Sequence, residues 1–175
     1  MSNYKGIKGF QVQTRTEDPV PYAQALADNP YAGSWASGGD LPQANRSMGL
    51  FGTYTSAVVA GGYISPPNTS LEADSYNGTS WSEIAELNSA KNESQGFGNS
   101  ATSGYVVKDT NEFWNGSTWT EVNDLTTARG LASVTGTSTA AILGGGEAGP
   151  PARNLVETWD GTSWTEVAEI NTNRE

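Results

Sequence analysis

Leu155 to Val167 reads LVETWDGTSWTEV. Asp160-Gly161 is a hairpin signal, because the two-residue turn it favours needs positive φ at both central positions. β-forming residues flank it, so the stretch predicts two antiparallel strands with Trp159 and Trp164 near the turn. The same pattern occurs twice upstream: Tyr76-Asn77-Gly78 precedes Trp81, and Trp114-Asn115-Gly116 precedes Trp119. An acid stands two residues before each of these aromatics, at Asp74, Glu112 and Glu157. Trp35, in SWASGGDL, marks a further copy of the second arm. Trp35, Trp81, Trp119 and Trp164 are spaced by 46, 38 and 45 residues, and each is followed six positions later by Leu41, Leu87, Leu125 or Ile170.

The register extends in both directions. A basic residue follows at Lys91, Arg129 and Arg174, with Asn45 in the first copy and Arg46 beside it. A glycine comes seven residues later, at Gly52, Gly98 and Gly136, where a turn between two further strands is expected. The runs TSAVVAGG (55–62) and STAAILGGG (138–146) carry the glycine pairs Gly61-Gly62 and Gly144-Gly145. TSGYVVKD (102–109) lacks such a pair and has a short connection onward, which accounts for the 38-residue interval. Each complete repeat thus predicts four strands, in units near 45–85, 91–122 and 129–167. A lone four-stranded sheet cannot bury both faces, and stacking successive sheets solves this. Trp81, Trp119 and Trp164 are expected between the sheets, together with Tyr76, Trp114 and Trp159.

This pattern resembles the kelch repeat: a basic residue (Arg129), a strand ending in a glycine pair (Gly144-Gly145), then a spaced aromatic and Trp (Trp159, Trp164), with Gly61-Gly62, Tyr76 and Trp81 as an earlier set. The resemblance covers residues 34–175. It implies an all-β fold of propeller blades, three complete and four-stranded plus a partial one. Four to eight blades normally close a propeller. The expectation is therefore a fragment of a longer protein, or a ring completed by other chains in a homo-oligomer. The NGTSW and DGTSW turns and the LTTAR link are also similar to kelch-like structural proteins of marine bacteriophages, and SNYKGIKGFQVQ is similar to the N-termini of phage structural proteins. Residues 1–33 depart from the repeat. GFQVQTRT (9–16) alternates like a strand, EDPVP interrupts it, and the segment reads as an attachment to other virion proteins.

Composition removes several chemistries. The 19 acids against nine Lys and Arg give a formal charge of −10, so a nucleic-acid-binding face is not expected. With no His and no Cys, imidazole and thiolate ligands, disulfides and His-based triads are excluded. The copper-radical oxidases among kelch-type propellers need such ligands. Glu83, Glu121 and Glu166 recur two residues past each Trp, which marks exposed strand positions rather than a glycosidase pair. No EF-hand spacing occurs among the Asp and Asn residues. No metal, cofactor or catalytic residue is expected, and no apolar run has the length of a membrane span.

The bases at Lys91, Arg129 and Arg174, and Arg46 beside the first copy, are expected to pair with repeat acids such as Glu157. Contact with a partner is expected instead from two loops that differ between copies and carry proline pairs. In YISPPNTS (63–70) the candidates are Tyr63, Pro66, Pro67 and Asn68. In EAGPPARN (147–154) they are Glu147, Pro150, Pro151 and Arg153. With no catalytic side chains and a non-repeat start, the function that the resemblance to phage structural proteins implies is a non-enzymatic structural or adhesion protein of a virion, a tail, fibre or decoration component that contacts a host-surface protein or glycan. An extracellular or cellular kelch interaction module is the alternative, and a carbohydrate-active enzyme the weaker one.

Overall fold

The computed structural model describes residues 37–65, 68–149 and 154–171. The chain divides into two compact units, Met1–Ser37 and Gly38–Glu175, and every described strand belongs to the second. The expected attachment segment 1–33 lies outside the described residues, as do Trp35, Pro66, Pro67, Pro150, Pro151, Arg153 and Arg174.

The described residues are all-β. In chain order the strands are β1 (Gly49–Thr53), β2 (Ser56–Ala60), β3 (Tyr63–Ile64), β4 (Asn68–Thr69), β5 (Ala73–Tyr76), β6 (Trp81–Glu83), β7 (Gln95–Ser100), β8 (Ser103–Val107), β9 (Asn111–Trp114), β10 (Trp119–Val122), β11 (Ser133–Thr137), β12 (Ala140–Gly144), β13 (Val156–Trp159) and β14 (Trp164–Val167). They build three four-stranded antiparallel sheets, ordered β1-β2-β5-β6, β7-β8-β9-β10 and β11-β12-β13-β14. The β3–β4 ribbon is a small fourth sheet inserted in the first unit. The described residues form no closed ring.

Two kinds of expected turn differ in form. Tyr76 pairs with Trp81, Trp114 with Trp119, and Trp159 with Trp164, so each Asn-Gly or Asp-Gly opens a four-residue loop rather than a two-residue one. The side chain of Asn77 explains this: its Oδ1 accepts from Thr79 N and Ser80 N, both at 2.9 Å. Asn115 and Asp160 make the same pair of bonds. Only the glycine of each loop then takes positive φ, 92° at Gly78, 93° at Gly116 and 95° at Gly161. The first hairpin of each unit also turns later than expected. Gly52 lies inside β1 opposite Ala57, and the turn falls at Tyr54-Thr55. A Cβ on Gly52 would stand 2.5 Å from Ser56 O, so glycine is required by the close approach of β2. The glycine pair, too, moves by one residue. Gly144 is a strand residue paired with Val156, and Gly145-Gly146 occupy the register of Gly61-Gly62.

Pairing register fixes which face each side chain uses. Phe51, Val58 and Ala60 of the first sheet face the second, where they bury Val106, Trp114 and Trp119. Phe97, Tyr105 and Val107 of the second sheet face the third, against Leu143, Trp159 and Trp164. The two junctions share one motif. Phe51 meets Trp119 edge-on with centroids 6.1 Å apart, and Phe97 meets Trp164 at 5.5 Å. Beneath each, the paired aromatics are 5.1 Å apart at Trp114–Trp119 and 5.4 Å at Trp159–Trp164. Glycine makes the first junction close: a Cβ on Gly104 would collide with the Phe51 ring, and one on Gly96 with the Leu50 backbone.

Trp81 departs from the expectation. It pairs with Tyr76 at 4.9 Å on the other face of the first sheet, and both are only partly buried. Trp119 and Trp164 should therefore lose about 3–5 kcal/mol of stability on replacement by Ala, as buried aromatics do. Trp81→Ala should lose less than half of that. Denaturant melts of the three variants would show this order, and equal losses would place Trp81 in a sheet-to-sheet core.

Candidate functional site

The charged interior of the unit is built from the repeat itself. Lys91, in the link between the first and second sheets, is 2% exposed and its Nζ lies 2.5 Å from Glu112 Oε1. Glu112 comes from β9 and is wholly buried. Its other oxygen accepts from Asn88 N at 2.8 Å and Asn88 Nδ2 at 2.9 Å. The next link repeats the clasp. Arg129 Nη1 pairs with Glu157 Oε1, and Thr126 N donates to Glu157 Oε2 at 2.8 Å. Arg129 Nε also holds Gly145 O at 2.9 Å. The expected pairing of these bases with repeat acids is thus present for Lys91 and Arg129.

Among the described residues, the first sheet has no such clasp. Asn45 stands in the register of Lys91 and Arg129, and its Nδ2 keeps only the bond to Gly61 O, at 2.8 Å. Arg46 turns away, its guanidinium 5.0 Å from the centroid of the Tyr63 ring. Pro42 stands in the register of Asn88 and Thr126 and has no N–H to give. Asp74, the acid of this sheet, sits in a small cleft of about 160 Å³ with Glu72 and Glu83. Burial, then the charge of Glu83, raises the Asp74 carboxyl above its ordinary range; burial, then Asp74 and Glu83, does the same to Glu72. Glu112 is the opposite case. Its burial raises the pKa, but the hydrogen bonds from Lys91 and Asn88 outweigh this and hold it low.

The candidate contact loops leave the same end of the sheets. Tyr63 N donates to Arg46 O at 2.8 Å, and Glu147 N donates to Gly130 O at 2.8 Å, so the two loops start from equivalent bridges. The Tyr63 hydroxyl accepts from Asn92 Nδ2, and Lys108 Nζ donates to Asn92 Oδ1 at 2.6 Å. Two clefts flank this polar chain. One, of about 370 Å³, is lined by Asn45, Arg46, Tyr63 and Ser65. The other, of about 380 Å³, is lined by Glu93, Lys108, Gly130 and Glu147. Asn68 is exposed on β4. The structure therefore brings Tyr63 and Glu147 to one end, and adds Arg46, Asn92 and Lys108, which the differences between loops do not single out. Glu83, Glu121 and Glu166 are exposed, one on the last strand of each sheet.

Residue type gave no hint of one further feature. Ser47, Glu93 and Leu131 have φ of 59°, 52° and 55°, and all three stand two residues past the base position. Left-handed backbone at such residues costs about 1–2 kcal/mol each. The recurrence shows that the path of the link, not the residue, imposes the conformation.

Replacing Lys91 by Met leaves Glu112 buried without its cation, and should cost about 3–5 kcal/mol at neutral pH. Glu112 has its pKa lowered in the fold, so the stability it supplies is present above the ordinary carboxylate range and lost as pH falls through its folded value. The gap between wild type and Lys91→Met should therefore narrow as the pH is lowered. Chemical denaturation across that range checks this, and a constant gap would show that Lys91 acts through packing alone.

The chain matches no family model and no curated protein, so no catalytic or binding residue is carried to it from a relative.

Proposed function

We propose that the chain is a non-enzymatic structural and adhesion component of a bacteriophage particle, in which kelch-like propeller blades display loops for contact with a host-surface protein or glycan. The observation that carries this reading is how the repeat divides its polar groups. The interior acids Glu112 and Glu157 are locked to Lys91 and Arg129, and so serve the scaffold. The recurring Glu83, Glu121 and Glu166 are spread one to a sheet. The side chains that differ between units collect at the loop end, around Tyr63, Arg46, Asn92, Lys108 and Glu147.

Such an arrangement suits recognition. The sheets supply a rigid base, and loops of different length leave it at equivalent bonds. Tyr63 offers an aromatic face already stacked with Arg46, and Asn92 and Lys108 offer polar groups beside it. A sugar presents that combination of apolar ring faces and hydroxyls. The virion setting is supported by the phage-like repeat dialect and by the non-repeat residues 1–33.

Antibody against the chain should label purified phage particles that encode it, and the isolated protein should bind a subset of glycans or host-envelope proteins on an array. The double variant Arg46→Ala/Tyr63→Ala should lower that binding about tenfold or more, as loss of a central aromatic and Arg contact does, with an unchanged melt. Particles free of the protein would end the virion reading. Turnover of a glycoside by the chain would replace adhesion with catalysis.

A further inference from the structure

The first unit places its base one residue later than the other two. Lys91 and Arg129 fill the base register and are buried against Glu112 and Glu157. In the first unit Asn45 holds that register, and Arg46 follows in the register of Asn92 and Gly130. Asn45 Nδ2 donates to Gly61 O at 2.8 Å, the equivalent of the Gly145 O that Arg129 Nε holds at 2.9 Å. A neutral side chain thus makes the scaffold bond, and the charge moves out to an exposed residue. Two backbone bonds to Tyr63 fix Arg46: its N donates to Tyr63 O at 3.3 Å, and its O accepts from Tyr63 N at 2.8 Å. In the third unit Gly130 makes the same bridge with Glu147 and offers no side chain.

Among the described residues, Lys91, Lys108 and Arg129 each have a carboxylate within 4.0 Å, and Arg46 has none. The Arg46 guanidinium lies instead 5.0 Å from the centroid of the Tyr63 ring. Stacking uses the face of a guanidinium and leaves the N–H groups in its plane unspent. The ring beneath is held in turn, because Asn92 Nδ2 donates to the Tyr63 hydroxyl and Lys108 Nζ donates to Asn92 Oδ1 at 2.6 Å. Arg46 lines a cleft of about 370 Å³ whose described walls include Asn45, Tyr63, Ile64 and Ser65 and no acid. The acids of this end, Glu93, Asp109 and Glu147, line the neighbouring cleft with Lys108. In a chain of 19 acids and nine Lys and Arg, this separation creates one locally cationic recess.

We propose that this recess binds the carboxylate of an acidic sugar, so that the glycan contacted is a uronate-type polysaccharide and not a neutral one. The N–H edge of Arg46 takes the carboxylate by two parallel N–H···O bonds, the geometry for which a planar guanidinium is pre-organised. The exposed Ser65 hydroxyl and the apolar Ile64 beside it suit a ring that carries hydroxyl and C–H groups. A carboxylate fits better than a phosphate, because a chain of formal charge −10 repels a doubly charged group more than a singly charged one. At physiological salt that repulsion is screened beyond about 8 Å, and the recess itself sets the contact. The inference rests on reading this end of the sheets as a glycan-contact surface.

The full 175-residue chain tests it on an array of alginate, polygalacturonate and hyaluronan, each beside its carboxyl-reduced form, in physiological salt. A phosphomannan and polyglutamate serve as anions of other kinds. At least one uronate polymer should bind about tenfold or more tightly than its reduced form, as a charge-assisted bidentate contact allows. Arg46→Gln should bring that polymer down to the affinity of its reduced form. Arg46→Lys keeps the charge without the fork and should fall between the two. Both variants alter an exposed side chain, and a thermal melt checks that each is folded. Equal binding of the charged and reduced polymers would overturn the inference and leave glycan adhesion standing. Binding to none of the glycans, charged or reduced, would overturn the adhesion reading and this inference with it. A preference for phosphomannan or polyglutamate would replace the sugar carboxylate with a phosphate or an acidic peptide. An Arg46→Gln variant that melts lower but keeps the discrimination would confine Arg46 to stacking on Tyr63.

Discussion

The fold depends on a pairing of charge between the link and the sheet that comes after it. Each four-stranded sheet is covered on at least one face by a neighbour, and the connection from one to the next must cross the edge of an apolar layer. Lys91 and Arg129 make that crossing by reaching a carboxylate on the third strand of the sheet ahead. A buried ion pair contributes little net stability compared with a hydrophobic replacement, since desolvation offsets most of the attraction. Its effect here is on register. Among the described residues, Glu112 and Glu157 each pair with one cation, so the link can sit in only one place relative to β9 and β13. That placement sets Phe51 over Trp119 and Phe97 over Trp164.

The path of the link explains the left-handed residues, with or without the charge pair. Past the base position, the link must reverse within a few residues to enter the first strand of the next sheet. Ser47, Glu93 and Leu131 absorb the reversal at equivalent points. Glycine would adopt this backbone without the side-chain penalty, yet none of the three positions carries it. Backbone bonds such as Leu131 N to Glu93 O, at 3.2 Å, help hold successive links to one another and offset the strain.

Much of this was legible in the sequence because the repeat aligns chemistry with geometry. The aromatic, the Asn-Gly or Asp-Gly, and the Trp fixed the outer hairpins, and the four-strand unit comes from adding the run before the glycine pair. That the recurring bases pair with repeat acids could be read from recurrence, though not which base meets which acid. What could not be read was anything that depends on a side chain's choice among local partners. Asn77 Oδ1 takes two backbone N–H groups and turns a two-residue loop into four. Gly52 has the spacing of a turn residue, but it is a strand residue made glycine by the approach of β2. Trp81 shares its register with Trp119 and Trp164, and only the order of stacking reveals that its face meets no other described sheet. In the candidate site, Tyr63 and Glu147 were visible as members of loops that vary between units. Arg46, Asn92 and Lys108 were not, because their role arises from links and a strand end that converge in space.

The middle unit shows how the scaffold admits that variation. Gly61 N bonds to Glu72 O, Gly145 N to Leu155 O, and Lys108 N to Thr110 O. These are the same bond in three sheets, between the end of the second strand and the start of the third. In the middle sheet it closes a tight reversal, whereas the first and third sheets insert their proline-containing loops inside it. Closing a longer loop across a fixed bond adds only about 0.6 kcal/mol for each doubling of its length. Loop length and content can therefore change at this end while the sheet beneath is unaffected. The middle unit, without a loop, uses its place differently: Lys108 extends from the tight reversal to Asn92, which in turn reaches Tyr63 of the neighbouring loop. A short loop in one unit thus becomes the support for a long loop in another, and the loop end around Tyr63 is held by side chains from the link and from the neighbouring sheet.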